Sequence, residues 1–200
     1  MGFEPPRRSP RTSTADLKAA LKAPLPPPCV LLLNGGPGVG KFTISKLVSP
    51  KQLEDGVVIL STACLYTEED TTQQFYEYLK IAMVRGIPLV MVNIFCDASA
   101  NKARLTSDER KSNDKADVKT KLVDPDQWGK IRGNYTQLDP NLLNDHPYER
   151  FRKGYLRLLK LDTTQLSAEE TAEKVLEFAS GATVYQEDVY YSAAEMYQGV

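Results

Sequence analysis

Histidine is almost missing from this sequence, and cysteine is scarce. The single histidine, His146, lies before Pro147 in a stretch with no arrangement of residues that supports a metal site or a catalytic triad. The three cysteines, Cys29, Cys64 and Cys96, lie in or beside predicted strands. An odd and uneven set of this kind does not form a disulfide framework. We therefore expect reduced, buried thiols and no chemistry based on histidine.

The chain also lacks a charge excess and a long apolar run. Its formal net charge is −1, which gives no overall attraction to nucleic acid or to a membrane surface. No apolar stretch reaches the roughly 18 residues of a membrane span. The N-terminus has no signal-peptide core, and Pro6 stands where a myristoylation pattern requires Ser or Thr. We expect a cytoplasmic protein that binds neither membrane nor nucleic acid.

Length and composition predict one folded domain with two tails. Two hundred residues with 42% hydrophobic content are enough for a single α/β core. Residues 1–28 are basic and hold more than half of the thirteen prolines, so we expect a disordered tail. The domain then spans 29–180, and 181–200 forms an acidic tail rich in tyrosine.

The most informative stretch runs from Val30 to Leu47 and reads VLLLNGGPGVGKFTISKL. An apolar run ends at Asn34, a glycine-dense turn follows, and residues suited to a helix begin near Lys41. This order of strand, turn and helix matches the phosphate-binding template G-x-x-x-x-G-K. Glycine lets the backbone adopt positive φ and approach a ligand closely, so that successive N–H groups point at phosphate oxygens. The residues expected to hold ATP are Gly35, Gly36, Pro37, Gly38, Val39, Gly40, Lys41, Phe42 and Thr43.

One position departs from this template. Phe42 follows the lysine where Ser or Thr is usual, and the hydroxyl comes one residue later, at Thr43. The hydroxyl after the lysine is the usual protein ligand of magnesium. Thr43 is therefore the one candidate metal ligand of the loop. The favoured role of Thr43 is a contact with the α phosphate, in which case Mg²⁺ is left to water and phosphate oxygens.

The remaining pattern predicts alternating buried strands and helices. Apolar, β-branched runs indicate strands at Gly56 to Thr62, Pro88 to Cys96 and Tyr155 to Leu161, as in a parallel sheet. Helices are expected from Lys41 to a stop at Ser49-Pro50, over Thr71 to Arg85 with Gly86 ending it, over Asn101 to Lys111, and after a capping box of Ser167 and Glu170.

The segment 102–132 is the charged part of the chain, with nine basic residues against six acidic ones. Most of these side chains are expected to form a solvated face. The alternative is a lid whose arginines close over a triphosphate. Both interpretations stay open from the sequence.

The sequence resembles the adenylate-kinase-like proteins, whose phosphate loop also carries a non-hydroxyl residue between the lysine and the threonine. It is similar to small P-loop kinase-like proteins of fungi and bacteria through GGPGVGKFTISKL, GVVILST, PLVMVNIFCDAS, KTKLVDPDQWGKIR and LDTTQLSAEETAEKVLEF. The resemblance implies a three-layer P-loop NTPase fold with about four mostly parallel strands and helices on both faces. It places Arg104 and Arg110 in a lid, and Thr163 and Thr164 near the adenine.

Two departures from that family bear on catalysis. Only about fifteen residues separate Lys41 from GVVILST, where relatives place another strand and the helices that bind the acceptor. GVVILST also ends without an aspartate, so Asp97, after the third strand, is the nearest carboxylate for holding metal or acting as a base. A helix cap is the alternative role of Asp97.

Three functions follow from these observations. The first is an ATP-dependent phosphotransferase acting on an unidentified small molecule, with Lys41, Asp97, Arg104 and Arg110 in catalytic roles. The second is a nucleotide-binding module without turnover, or a shortened and impaired relative whose sheet lacks an edge strand. The third, a nucleic-acid enzyme, has only the charged segment behind it.

Overall fold

The structure is a computed structural model that describes residues 28–52, 58–62, 68–107, 124, 127, 129–130, 137–140, 152 and 154–182. The predicted N-terminal tail up to residue 27, most of the predicted C-terminal tail, Cys64, Arg110 and His146 lie outside these residues.

Four strands alternate with four helices in the described part of the chain. In chain order they are β1 (Val30–Asn34), α1 (Lys41–Gln52), β2 (Val58–Thr62), α2 (Glu68–Arg85), β3 (Leu89–Phe95), α3 (Ala98–Thr106), β4 (Leu156–Asp162) and α4 (Ala168–Ser180).

The four strands form one parallel sheet in the order β2-β1-β3-β4. β1 is an interior strand, in which Val30 is paired with Val58 on one side and with Leu89 on the other. The carboxyl ends of parallel strands meet at one edge of a sheet, and α/β proteins bind ligands there. The turn that follows Asn34 therefore lies at the middle of that edge.

Successive side chains of each strand point to opposite faces of the sheet, so the core has one part on each face. Leu31 and Leu33 pack with residues of α1 and α4, among them Ile44 and Val175. On the other face, Val30 and Leu32 pack with α2 through Phe75, Tyr76 and Leu79. Fully burying one such aliphatic side chain contributes about 1.5–3 kcal/mol. The prediction of a parallel α/β sheet with helices on both faces is confirmed.

The ends of α2 and α4 follow local sequence signals. Gly86 ends α2 with a φ of 63°, its N–H donates to Met83 O at 3.0 Å, and Ile87 N donates to Ala82 O at 3.1 Å. These two bonds form a Schellman motif, which needs a left-handed residue at the glycine position. At α4, Ser167 Oγ accepts from Glu170 N and Glu170 Oε2 accepts from Ser167 N. The predicted glycine stop and capping box are confirmed.

Other predicted boundaries are wrong by a few residues. Helix α1 continues through Pro50 to Gln52, so the predicted stop at Ser49-Pro50 is wrong. Helix α2 begins at Glu68, ahead of the predicted Thr71. Helix α3 begins at Ala98, three residues early, because Asp97 caps it, and it ends at Thr106.

The described cysteines, Cys29 and Cys96, are buried and form no disulfide bond. Burial raises the pKa of Cys29 to about 12, which keeps this thiol protonated and unreactive at neutral pH. The expectation of reduced, buried thiols holds for these two residues.

Candidate phosphate-binding site

The turn between β1 and α1 is the candidate site. It runs from Gly35 to Gly40 and leads directly into α1 at Lys41. The hydrogen bond from Ile44 N to Gly40 O, 2.9 Å long, closes the first helical turn against the end of the loop. The first amides of a helix point out of its N-terminus, where the helix dipole also favours an anion. The N-terminus of α1 therefore lies at the carboxyl edge of the sheet, directly after the loop.

Three glycines of this loop occupy positions that other residues do not fit. Gly38 and Gly40 have φ angles of 79° and 97°, in the left-handed region that disfavours a Cβ. Gly35 is limited by space, since a Cβ there would lie 2.5 Å from the carbonyl oxygen of Ile94 in β3. The glycine pattern therefore reflects two separate constraints, a backbone conformation and a close approach to the sheet.

Lys41 turns back toward the loop. Its Nζ donates to the carbonyl oxygens of Gly35 and Gly36, the second at 2.9 Å. The long side chain thereby places a positive charge beside the same turn whose amides are expected to bind an anion.

Phe42 and Thr43 follow Lys41 in the first turn of α1. Phe42 is 51% exposed, and the ammonium of Lys46, one turn later, lies 4.0 Å from the centre of its ring. Thr43 is also exposed, so its hydroxyl is accessible at the helix N-terminus. Within the residues that the structure describes, no group of three His, Cys, Asp or Glu side chains is placed to hold a metal ion.

Asp97 is the N-cap of α3. Its Oδ1 accepts from Ala100 N at 2.6 Å and from the hydroxyl of Ser99 at 2.9 Å. Its own N–H donates to Thr164 Oγ1 at 3.0 Å. Asp97 thus lies at the carboxyl edge as predicted, with one carboxylate oxygen engaged in the capping role that the sequence had left as the alternative.

Arg104 and Thr163 are in direct contact. The guanidinium of Arg104 donates to Thr163 Oγ1 at 2.9 Å, to the carbonyl oxygen of Thr163, and to Leu166 O at 3.4 Å. Thr163 is buried and is tied to β3, because its N–H donates to Phe95 O at 2.8 Å. Arg104 therefore holds the loop between β4 and α4 in place.

Thr164 links this loop to Asp162 at the end of β4. The hydroxyl and the amide of Thr164 donate to Asp162 Oδ1 at 2.6 and 2.9 Å. These hydrogen bonds lower the pKa of the Asp162 carboxyl, while desolvation and, after it, the charge of Asp97 act in the opposite direction. Asp162 and Asp97 are accordingly neighbouring carboxylates at the ends of β4 and β3.

Helix α3 joins the two groups of predicted site residues. On one side it touches the phosphate loop, where Asn101 Nδ2 donates to Pro37 O at 3.2 Å and Leu105 borders Gly38. On the other side Arg104 holds the Thr163 loop. The structure thus brings the loop residues, Asp97, Arg104, Thr163 and Thr164 to one edge of the sheet. Arg110 lies outside the described residues.

Sequence reasoning missed three asparagines at this edge. Asn34 Nδ2 donates to Asn93 Oδ1 at 2.9 Å, and Asn93 Nδ2 donates to Leu138 O at 2.8 Å. Asn101 is the third, and it is 97% buried. For Asn101 a signal existed, because it shares the i, i+4 spacing of one helix face with Leu105.

No protein-family model matches this sequence, and no curated protein matches it. Across the described parts of the chain, none of the helices has the length and apolar character needed to cross a membrane.

Proposed function

We propose that this protein binds a nucleoside triphosphate, ATP, with its phosphates on the backbone amides of residues 35–41 and with Lys41 as their counter-charge. The fold that goes with this proposal is the three-layer P-loop NTPase fold. Thr163 and Thr164 then lie on the side of the site expected to face the adenine.

The observation that carries the proposal is the inward direction of Lys41. Its ammonium lies against Gly35 O and Gly36 O, and a phosphate entering the loop replaces these neutral acceptors with charged ones. Hydrogen bonds to charged groups contribute about 1.5–3 kcal/mol each. A few of them reach the ~8 kcal/mol of a micromolar complex.

The described residues do not supply a dedicated magnesium site. Phe42 occupies the usual hydroxyl position, and one oxygen of Asp97 is engaged in capping α3. Thr43 remains the candidate protein ligand. We propose that magnesium enters as the Mg-ATP complex, as part of the substrate.

The binding proposal is tested by thermal unfolding with and without Mg-ATP. A ligand that binds only the folded state raises the Tm, with about 2.7 kcal/mol of stabilisation at a concentration 100 times Kd. We expect this shift in the wild type but not in Lys41→Ala. The control variant Lys80→Ala should keep the shift, because Lys80 is exposed on α2, which packs on the other face of the sheet from α1. Equal shifts in the wild type and Lys41→Ala, or no shift in the wild type, would overturn the proposal.

On this nucleotide site we further propose phosphotransfer to a small molecule. Phosphoryl transfer depends mainly on positioning and on neutralising charge. The loop amides and Lys41 hold the donor, Arg110 and Arg104 lie on the segment expected to neutralise charge, and Asp97 orients the acceptor.

Binding without turnover is the second candidate, and one observation favours it. Helix α1 ends at Gln52 and β2 begins at Val58, so five residues connect them. A connection this short has no room for the acceptor-binding helices that kinase-like relatives place there. The strand β2 is also the edge strand of the described sheet, as expected for a relative that lacks one strand.

The two candidates are separated by ADP release over a panel of nucleosides, sugars and small acids. An acceptor that stimulates ADP release in the wild type, but not in Lys41→Ala, identifies a kinase. If nucleotide binds and no acceptor raises ADP release above the Lys41→Ala level, the protein is a binding module.

A further inference from the structure

Asn101 carries an unusual combination of contacts beside the phosphate loop. Its side chain is 97% buried, and its Nδ2 donates to Pro37 O at 3.2 Å. The other end of the same amide, Oδ1, is buried as well and has no hydrogen-bond partner among the described residues. A buried acceptor without a donor costs about 1–3 kcal/mol.

The orphaned oxygen lies against the loop itself. A Cβ built on Gly38 would be 2.8 Å from Asn101 Oδ1, so this oxygen borders the loop backbone at Gly38. Reversing the amide would direct the oxygen at Pro37 O and lose the existing hydrogen bond. The present orientation is therefore the favourable one, and it still leaves Oδ1 unsatisfied.

A leucine of similar volume would avoid this cost, since it carries no polar atom and the neighbouring Leu105 is apolar. Buried polar atoms without a hydrogen-bond partner occur at functional sites, where such an atom gains its partner when a ligand binds. The phosphate loop is the element beside Asn101 that a bound anion would rearrange.

We propose that Asn101 is a positioning residue for nucleotide binding. Its Nδ2 holds Pro37 from α3, and its Oδ1 gains a backbone N–H donor when the loop closes on the phosphates. This inference rests on the proposed nucleotide site. It deepens that proposal by adding a residue of α3 that acts through the loop.

The test compares the stability and the affinity of Asn101→Leu. Without nucleotide, this variant should unfold at about the Tm of the wild type, because removing the unsatisfied Oδ1 offsets the loss of the hydrogen bond to Pro37 O. Its Kd for Mg-ATP, measured by calorimetry, should be about 10-fold weaker, as expected for the loss of about 1.4 kcal/mol. A residue with a purely structural role would show a lowered Tm and an unchanged Kd, which would overturn the inference.

Two further variants keep the outcome unambiguous. Asn101→Asp is isosteric but replaces the donor to Pro37 with a charged oxygen, so its Kd should weaken more than that of Asn101→Leu. Lys102→Leu, at the adjacent exposed position of α3, should leave the Kd unchanged. If Lys102→Leu weakens binding as much as Asn101→Leu, the effect is not specific and the inference fails. If the wild type shows no Mg-ATP binding at all, the nucleotide site itself has failed.

Discussion

Asn34 and Asn93 form a side-chain hydrogen bond, 2.9 Å long, on the sheet face where β1 and β3 also bury the apolar residues Val30, Leu32, Leu89 and Met91. Both residues are at most 1% exposed. They are register partners on β1 and β3, at the last paired position of β1 before the phosphate loop. Asn93 also donates a hydrogen bond, through Nδ2, to Leu138 O. These hydrogen bonds fix the end of β1, where the loop begins. They could not form if β1 and β3 were paired in another register.

Replacing Asn93 with leucine should destabilise the protein by about 3 kcal/mol, because it removes the acceptor of Asn34 and the donor to Leu138 O. Urea unfolding measures the change. The double variant Asn34→Leu/Asn93→Leu should lose less stability than the two single variants added together, since it removes both partners of one bond. Strict additivity would show that the two side chains are not coupled.

Alanine substitutions at Gly35, Gly38 and Gly86 should separate two costs, the steric clash of a new Cβ with neighbouring atoms and the strain of a positive φ. Gly86 has a φ of 63° and open space around a Cβ, so Gly86→Ala should cost about 1 kcal/mol from conformation alone. Gly38→Ala adds contacts of 2.7–2.9 Å with Leu105 and Asn101, and Gly35→Ala meets a backbone oxygen at 2.5 Å. Both loop variants should be at least twice as destabilised as Gly86→Ala, and they alone should lose the Mg-ATP shift. Equal unfolding free energies in the three variants would contradict this.

Replacing Arg104 with methionine should lower the unfolding free energy by about 2 kcal/mol, because Thr163 and Leu166 lose their guanidinium donor. Arg104→Lys should recover part of this loss, and Lys102→Met, at an exposed neighbouring position, should be neutral. An Arg104→Met variant with wild-type stability but impaired turnover would instead support a role for Arg104 at the triphosphate.

The capping box of α4 should make stability depend on acidity. Hydrogen bonds to Ser167, first from its amide, hold the pKa of Glu170 below its ordinary value of 4.5. A group whose pKa is lowered on folding stabilises the protein above its unfolded pKa, and this contribution is lost as the pH falls through the folded value. The stability difference between the wild type and Glu170→Gln should therefore be largest above about pH 5 and shrink on acidification. Glu169→Gln, outside the capping box, is the control. A difference that stays constant from pH 7 to pH 3 would refute the assignment.

How far the sequence predicted this molecule depends on the range of the interactions. The glycine turn between β1 and α1, the capping box and the Gly86 stop could be predicted, because each is encoded within a few adjacent residues. Contacts between distant segments could not be predicted. The contact between Asn101 and Pro37 is an example, because nothing near either residue in the sequence specifies the other. Arg104 illustrates the same limit. Its positive charge suggested a lid, whereas its partners at Thr163 and Leu166 follow from how α3 packs beside β4.

The strands do not all end at the same level at the carboxyl edge of the sheet. Asn34 is level with Thr62 on one side and with Asn93 on the other, but β3 continues to Phe95 and β4 to Asp162 beside it. Two extra residues raise that side by about 6–7 Å. Within the described residues, β3 and β4 therefore extend beyond the start of the loop on one side. A molecule seated on the loop would meet the ends of these two strands along that flank.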